Sequence, residues 1–337
     1  MSEYYGNRKT KFRAAATEHK AALPVAMLIA LLLWRMSNSP TPYTLCALAA
    51  CTATAALWIT IDKKYALIRV RSQILPAIYA FLAACLLLPH VKWTDTCAAC
   101  CLCTAYYYLF GAYQKPHSAA PVFHSFFFLS LGSLFFTPLI CLAPFLIFYL
   151  AHHARALSWR TWWAAIVGLA TPYWFKIAWL AYNGRYSLPT TLHLTPDSLL
   201  SCIHLPHPTA GLQPINFNTL LQTDWLTLAA AGLTALFTII AATHYGRTSF
   251  NDKIRTRIFH YILIWQEYSI IAFILLQPAH IAPLTALLIM NSAPLLAHYF
   301  ALGRGRNVDI TFLLFILSCL TLYAYRLWHN WFPFANI

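Results

Sequence analysis

Glu267 stands in the middle of HYILIWQEYSIIAFILLQ, residues 260–277, an apolar run long enough to cross a membrane. The chain has only nine acidic residues, and this one occupies the costliest position. A charge at the centre of a span costs about 2.5–3.5 kcal/mol on insertion scales, so a partner is expected. The ninth and tenth apolar runs turn near Pro278–His280. In such an antiparallel hairpin, residues equally far from the turn meet at equal depth, which sets Glu267 level with Asn291 and Ser292. Pro294, just beyond, has no N–H for the Met290 carbonyl. His298 lies one to two turns further on and offers a charged neighbour. Three chemistries fit this pattern: a structural carboxyl joining two helices, a proton- or substrate-binding carboxyl, or a residue facing lipid.

A second set of candidates is cationic. Lys176 follows GLATPYWF, where Gly168 and Pro172 favour a kink. It either snorkels to the interface, pairs with Asp224, or binds an anionic headgroup. Arg326 has the choice between snorkelling and function, and Lys176, Arg185 and Arg326 together would supply phosphate contacts.

Two apparent motifs carry less. CAACCLC, Cys97 to Cys103, sets Cys97, Cys100 and Cys101 on one helix face, but no second cluster matches it. Small buried cysteines also let helices approach closely. His193, His204 and His207 share one loop without the spacing of a helix-borne zinc site. No metal and no cofactor is expected. There is no nucleophile–base pair and no glycine-rich phosphate loop, and GRGR at 303–306 reads as a basic turn.

The elements that position these residues follow from composition. The 337-residue chain is 60% hydrophobic and 9% charged, with mean hydropathy +0.58. A soluble domain carries about 25% charged residues, so the pattern is that of an all-α polytopic membrane bundle. Eleven spans are predicted: 22–34, 43–61, 74–91, 96–113, 123–136, 138–153, 161–182, 223–244, 259–278, 281–300 and 310–328. The division of Val122–His153 rests on FFTPLI, where Pro138 breaks the run.

The charge of +14 falls in alternate connections. Residues 1–21 form a basic tail, and the others are Lys63 to Arg71, Lys115, Arg155 with Arg160, Arg247 to Arg257, and Arg304 with Arg306. This is the positive-inside pattern, with a cytoplasmic N-terminus and a periplasmic C-terminus. The basic balance then reports topology and anionic lipid rather than nucleic acid. Residues 22–337 read as a single transmembrane domain with an outer loop, 183–222, in which TPDSLLSCIH has a helix start at Thr195–Asp197. No internal repeat with matching broken helices is visible, which disfavours an inverted-repeat transporter.

YQKPHSAAPVFHSFFFLSLGSLFFTP and LSWRTWWAAIVGLATPYWF resemble an uncharacterised family of polytopic inner-membrane proteins of Bacteroidota. The resemblance covers mainly residues 113–183, and it implies a location rather than a reaction. The architecture, and LLIMNSAPLLAHYFAL, are also similar to membrane glycosyltransferases that use polyprenyl-phosphate sugars. Those enzymes carry acidic catalytic residues in the first outer loop, where this chain has RMSNSPTP and no carboxylate. Together these readings lead to an inner-membrane protein of envelope biogenesis, leaning away from an enzyme. It would bind a lipid-linked anionic substrate at the outer leaflet, with membrane lipids and a lipid-linked glycan as partners. The alternatives are a secondary transporter coupled through Glu267 and a non-enzymatic assembly partner.

Overall fold

The computed structural model describes residue 13 and residues 22–37, 41–70, 72–87, 92–182 and 224–331. The described residues form helices joined by short turns, with no strand among them. In chain order the helices are α1 (Ala22–Ser37), α2 (Pro42–Tyr65), α3 (Ile74–Leu82), α4 (Trp93–Gly111), α5 (Ala119–Phe135), α6 (Ala143–His152), α7 (Trp159–Tyr182), α8 (Trp225–Thr248), α9 (Ile254–Leu276), α10 (Ile281–Leu302) and α11 (Arg306–Trp331). Each coincides with one of the expected apolar runs. Five segments, Pro42–Tyr65, Trp225–Asn251, Ile254–Leu276, Pro278–Leu302 and Arg306–His329, are long and apolar enough to cross a membrane. The chain is thus a helical membrane protein.

Local chemistry sets the boundaries. Thr41 and Thr44 cap α2 reciprocally, and Pro42 occupies its first turn. The helix ends where Ala66 turns left-handed at φ 52°. The Asp62 carboxylate then accepts from the Ile68 N–H and holds the chain as it doubles back. Asp224 caps α8 by accepting from the Leu226 N–H. The run 122–153 does break at Pro138: α5 stops at Phe135, a 3-10 segment covers Thr137–Leu142, and α6 begins at Ala143 with Pro144 in its first turn.

The described residues fall into two compact units, one of residues 1–103 and 213–337, the other of residues 104–212. In the second, α5 and α7 pack closely along their length. A Cβ on Gly168 would lie 2.6 Å from the Phe123 carbonyl oxygen, so a hydrogen at this position permits the contact. The Ser130 hydroxyl donates to the Leu169 carbonyl across the same seam. Pro172 lies inside α7, which is helical throughout Trp159–Tyr182.

In the first unit α10 is the central helix. It packs against α8, α9 and α3. Of its most apolar window 78% is buried, against 28–50% for the other four candidate spans. A helix apolar all round belongs in such a place. It follows that the polar residues of α10, Asn291, Ser292 and His298, must find partners inside the protein.

Candidate functional site: a basic pocket and two buried polar rungs

Asn291 finds its partner in Glu267. Its Nδ2 donates to Glu267 Oε2 at 2.7 Å and to the Leu263 carbonyl at 2.7 Å. Glu267 is 2% exposed and faces the bundle, and the Thr238 hydroxyl of α8 is its other neighbour. The two further residues expected beside Glu267 are engaged elsewhere. Ser292 donates back to the Ile289 carbonyl at 3.0 Å, as hydroxyls inside helices often do. His298 pairs with Asp252, Nε2 to Oδ2 at 2.9 Å, with both groups buried.

Asp252 was not among the expected site residues. It follows the single 3-10 turn, Ser249–Asn251, that joins α8 to α9. Burial alone would raise its carboxyl, but the His298 hydrogen bond and the electrostatic influence of His298, His260 and Arg69 outweigh this. The group is held below the ordinary carboxylate value.

His260 of α9 completes the cluster. Its ring lies 5.0 Å from that of His298, and Tyr245 of α8 packs against both, at 4.6 and 4.8 Å. His260 and His298 are equidistant from Ala279, as are Glu267 and Asn291. The hairpin geometry that pairs the carboxyl with the amide therefore also pairs the histidines, a relationship that the same count from the turn makes readable in the sequence.

Asp252 and His298 form one wall of a cavity of about 490 Å³, well within the range of small-molecule sites. Its other polar walls are Arg13, Arg69, His244, Asn251 and Arg304. Arg69 is carried there by the turn that follows Ala66, and its Nη1 donates to the Asn251 carbonyl at 2.9 Å. Arg304 comes from the turn after α10. Arg13, only 1% exposed, has its Nε 2.8 Å from Asp309 Oδ1. The lining thus holds three arginines and two histidines against one carboxylate, and that carboxylate is engaged by His298. Such a pocket suits a phosphate or carboxylate, which a guanidinium meets in a fork of parallel hydrogen bonds.

The expected cationic site looks different. Arg326 is 7% exposed, and its Nη2 is 3.5 Å from Asp224 Oδ2. That oxygen also accepts from the Thr227 hydroxyl at 2.8 Å. Asp224, considered as a partner for Lys176, is therefore engaged by Arg326, and a headgroup at Arg326 would compete with it. Lys176 is half-buried on α7, among exposed Trp174, Phe175 and Trp179. Arg185, Cys202, the three loop histidines and the helix start at Thr195 lie outside the described residues. Asp224 opens α8 and the pocket lies at its other end, about 36 Å away for a helix of 24 residues. Cys97, Cys100 and Cys101 are not joined to one another by a disulfide, and no group of three metal-ligating side chains is assembled among the described residues.

Comparison of the chain with protein-family models, with curated proteins and with solved structures gives no match.

Proposed function

We propose that this is a multi-pass inner-membrane protein of envelope biogenesis that binds a phosphate-bearing, lipid-linked substrate in the Arg69–Arg304 pocket. The observation that carries the reading is the charge imbalance of the lining. Arg69 and Arg304 are in no ion pair among the described residues, and Asp252, the one acid of the wall, is engaged by His298. An anion entering here meets cations that need not first give up a carboxylate.

The positive-inside rule assigns this end of α8 to the cytoplasm. The substrate headgroup would then enter from the inner leaflet, where anionic lipids concentrate it, and not from the outer leaflet that the sequence favoured. The resemblance to polyprenyl-phosphate-dependent proteins is consistent with a lipid-linked phosphate as the class of ligand.

Titration of the purified protein with inorganic pyrophosphate, and separately with short-chain polyprenyl phosphate, tests the reading. Arg69→Ala with Arg304→Ala should weaken both ligands together, while Arg326→Ala leaves them unchanged. Equal binding to wild type and the double variant would remove the pocket from consideration. Loss of polyprenyl phosphate binding alone would point to the lipid chain rather than the phosphate as the recognised group.

A further inference from the structure

The pocket and Glu267 are served by the same two helices. α9 carries His260 and Glu267, and α10 carries His298 and Asn291, in each case two turns apart, or about 10 Å. The two pairs are rungs of one antiparallel ladder, and Pro294 lies between them on α10. The lower rung touches the pocket wall through Asp252.

Hydrogen bonding places one hydrogen on each imidazole. The Thr256 carbonyl can only accept, so His260 Nδ1 carries the hydrogen of their 3.0 Å contact. Its Nε2 is then a bare acceptor, buried and without a protein partner. The Asp252 carboxylate takes the hydrogen on His298 Nε2, which leaves Nδ1 in the same condition. At the upper rung, Glu267 Oε1 and both amide atoms of Gln266 are buried without protein partners. Buried polar atoms are rarely left so, and these five lie along one helix pair.

The groups acting on Glu267 are the Asn291 amide and the Thr238 hydroxyl, neither of which titrates. No cation pairs with it among the described residues. A proton is therefore the available means of neutralising this carboxylate. The histidines face Asp252 from the α8–α9 turn, Tyr245 and His244 from α8, and one another from α9 and α10. Arg69 acts on them through Asp252.

We propose that Glu267 is a proton-binding site loaded from the basic pocket through His298 and His260, so that the protein moves its anion together with a proton. This rests on the pocket being an anion site. Loading forms one O–H bond on Glu267 and consumes one proton from the pocket side. The proton bonds to the bare Nδ1 of His298, passes from there to the bare Nε2 of His260 and leaves that same nitrogen for Glu267. The other ring nitrogens keep their hydrogens on Asp252 and the Thr256 carbonyl. Each imidazole is neutral again after the transfer, and unloading reverses the step. Pro294 lets the α10 segment bearing His298 move relative to that bearing Asn291, because the helix lacks one hydrogen bond there.

The test uses the full chain in phosphatidylethanolamine–phosphatidylglycerol vesicles with a pH-sensitive dye inside and inorganic phosphate outside. Wild type should carry phosphate and acidify the lumen. Glu267→Gln should abolish acidification while still binding phosphate. His260→Gln should slow acidification by about a hundredfold, the low end of what a positioned proton-transfer group contributes. Phosphate entry without acidification, or unchanged acidification in Glu267→Gln, overturns the proposal. An infrared pH titration in detergent separates it from the pocket reading. Even if phosphate does not bind, a protonated-carboxyl C=O stretch lost in Glu267→Gln and displaced in pH by His260→Gln supports the proton site. Absence of that band in wild type at every pH refutes it.

Discussion

The Asn291 side-chain amide is shared evenly, 2.7 Å from the Leu263 carbonyl and 2.7 Å from Oε2 of Glu267. One –NH₂ group thus uses its two hydrogens on two acceptors of α9, one main-chain and one side-chain. This ties the central helix to its neighbour where both side chains are buried. It also gives Asn291 a structural task separable from any proton chemistry at Glu267.

Asn291→Ala should therefore destabilise the protein by about 1–3 kcal/mol, the cost of leaving buried polar groups unsatisfied. Glu267→Gln keeps an oxygen for Asn291 to donate to, and should lose less. Thermal unfolding of the two variants in one detergent compares them directly. If Glu267→Gln proves the more damaging, the carboxyl itself rather than the amide holds the helices together.

Gly168 and Gly232 make a matched pair. A Cβ on Gly168 would meet the Phe123 carbonyl oxygen at 2.6 Å and the Phe127 nitrogen at 3.1 Å, both backbone atoms that cannot swing aside. Gly168→Ala should cost about 1–3 kcal/mol, as overpacking does. Gly232 lies inside α8 with nothing within 4 Å of the added carbon. Gly232→Ala should be neutral, or gain up to about 1 kcal/mol from helix propensity. Scanning fluorimetry that ranks the two in the opposite order would contradict the α5–α7 packing.

Much of this architecture was legible in the sequence, because length and apolarity fix helices wherever lipid forbids unpaired backbone. The Pro138 break and the Glu267–Asn291 pairing were both readable, the first from proline chemistry and the second from counting outward from the turn. The pocket was not. Arg69, Asp252 and Arg304 come from three turns far apart in the chain; each arginine reads alone as a topology charge, and Asp252 as one acid in a basic connection. Only the packing of α2, α8, α9 and α10 brings them to one cavity. Of the two residues level with Glu267, Asn291 bonds it and Ser292 does not, because a hydroxyl inside a helix can bond its own preceding turn, an outcome that depth counting does not see.

Asp252 should leave a mark on acid stability. Its carboxyl is held below the ordinary value of 3.8 because the His298 hydrogen bond and nearby positive charge outweigh burial. A depressed folded value means the contribution is complete above the unfolded value and is lost as pH falls through the folded one. Asp252→Asn should then be less stable than wild type near neutrality and approach it at the acid end. A gap that stays constant across the whole range would show that the carboxylate charge is not what stabilises the α8–α9 turn.

The pocket also sharpens the test of topology. The connections 66–72, 249–253 and 303–305 each contribute to it, through Arg69, through Asn251 with Asp252, and through Arg304. They share one side of the membrane whatever the charge rule says, and one label reports on all three. Asn251 suits that label, because its side chain is exposed while its carbonyl is held by Arg69. His329, also exposed, lies towards the far end of α11, near the Arg326–Asp224 pair. In a background with Cys46 and Cys202 replaced by serine, Asn251→Cys should resist a membrane-impermeant thiol reagent until the cells are permeabilised. His329→Cys should react in intact cells. Reaction of position 251 from outside would invert the charge-based orientation and turn the pocket towards the periplasm. Reaction of both positions from the same side would break the eleven-span count, because α11 must then return to the side on which the pocket opens.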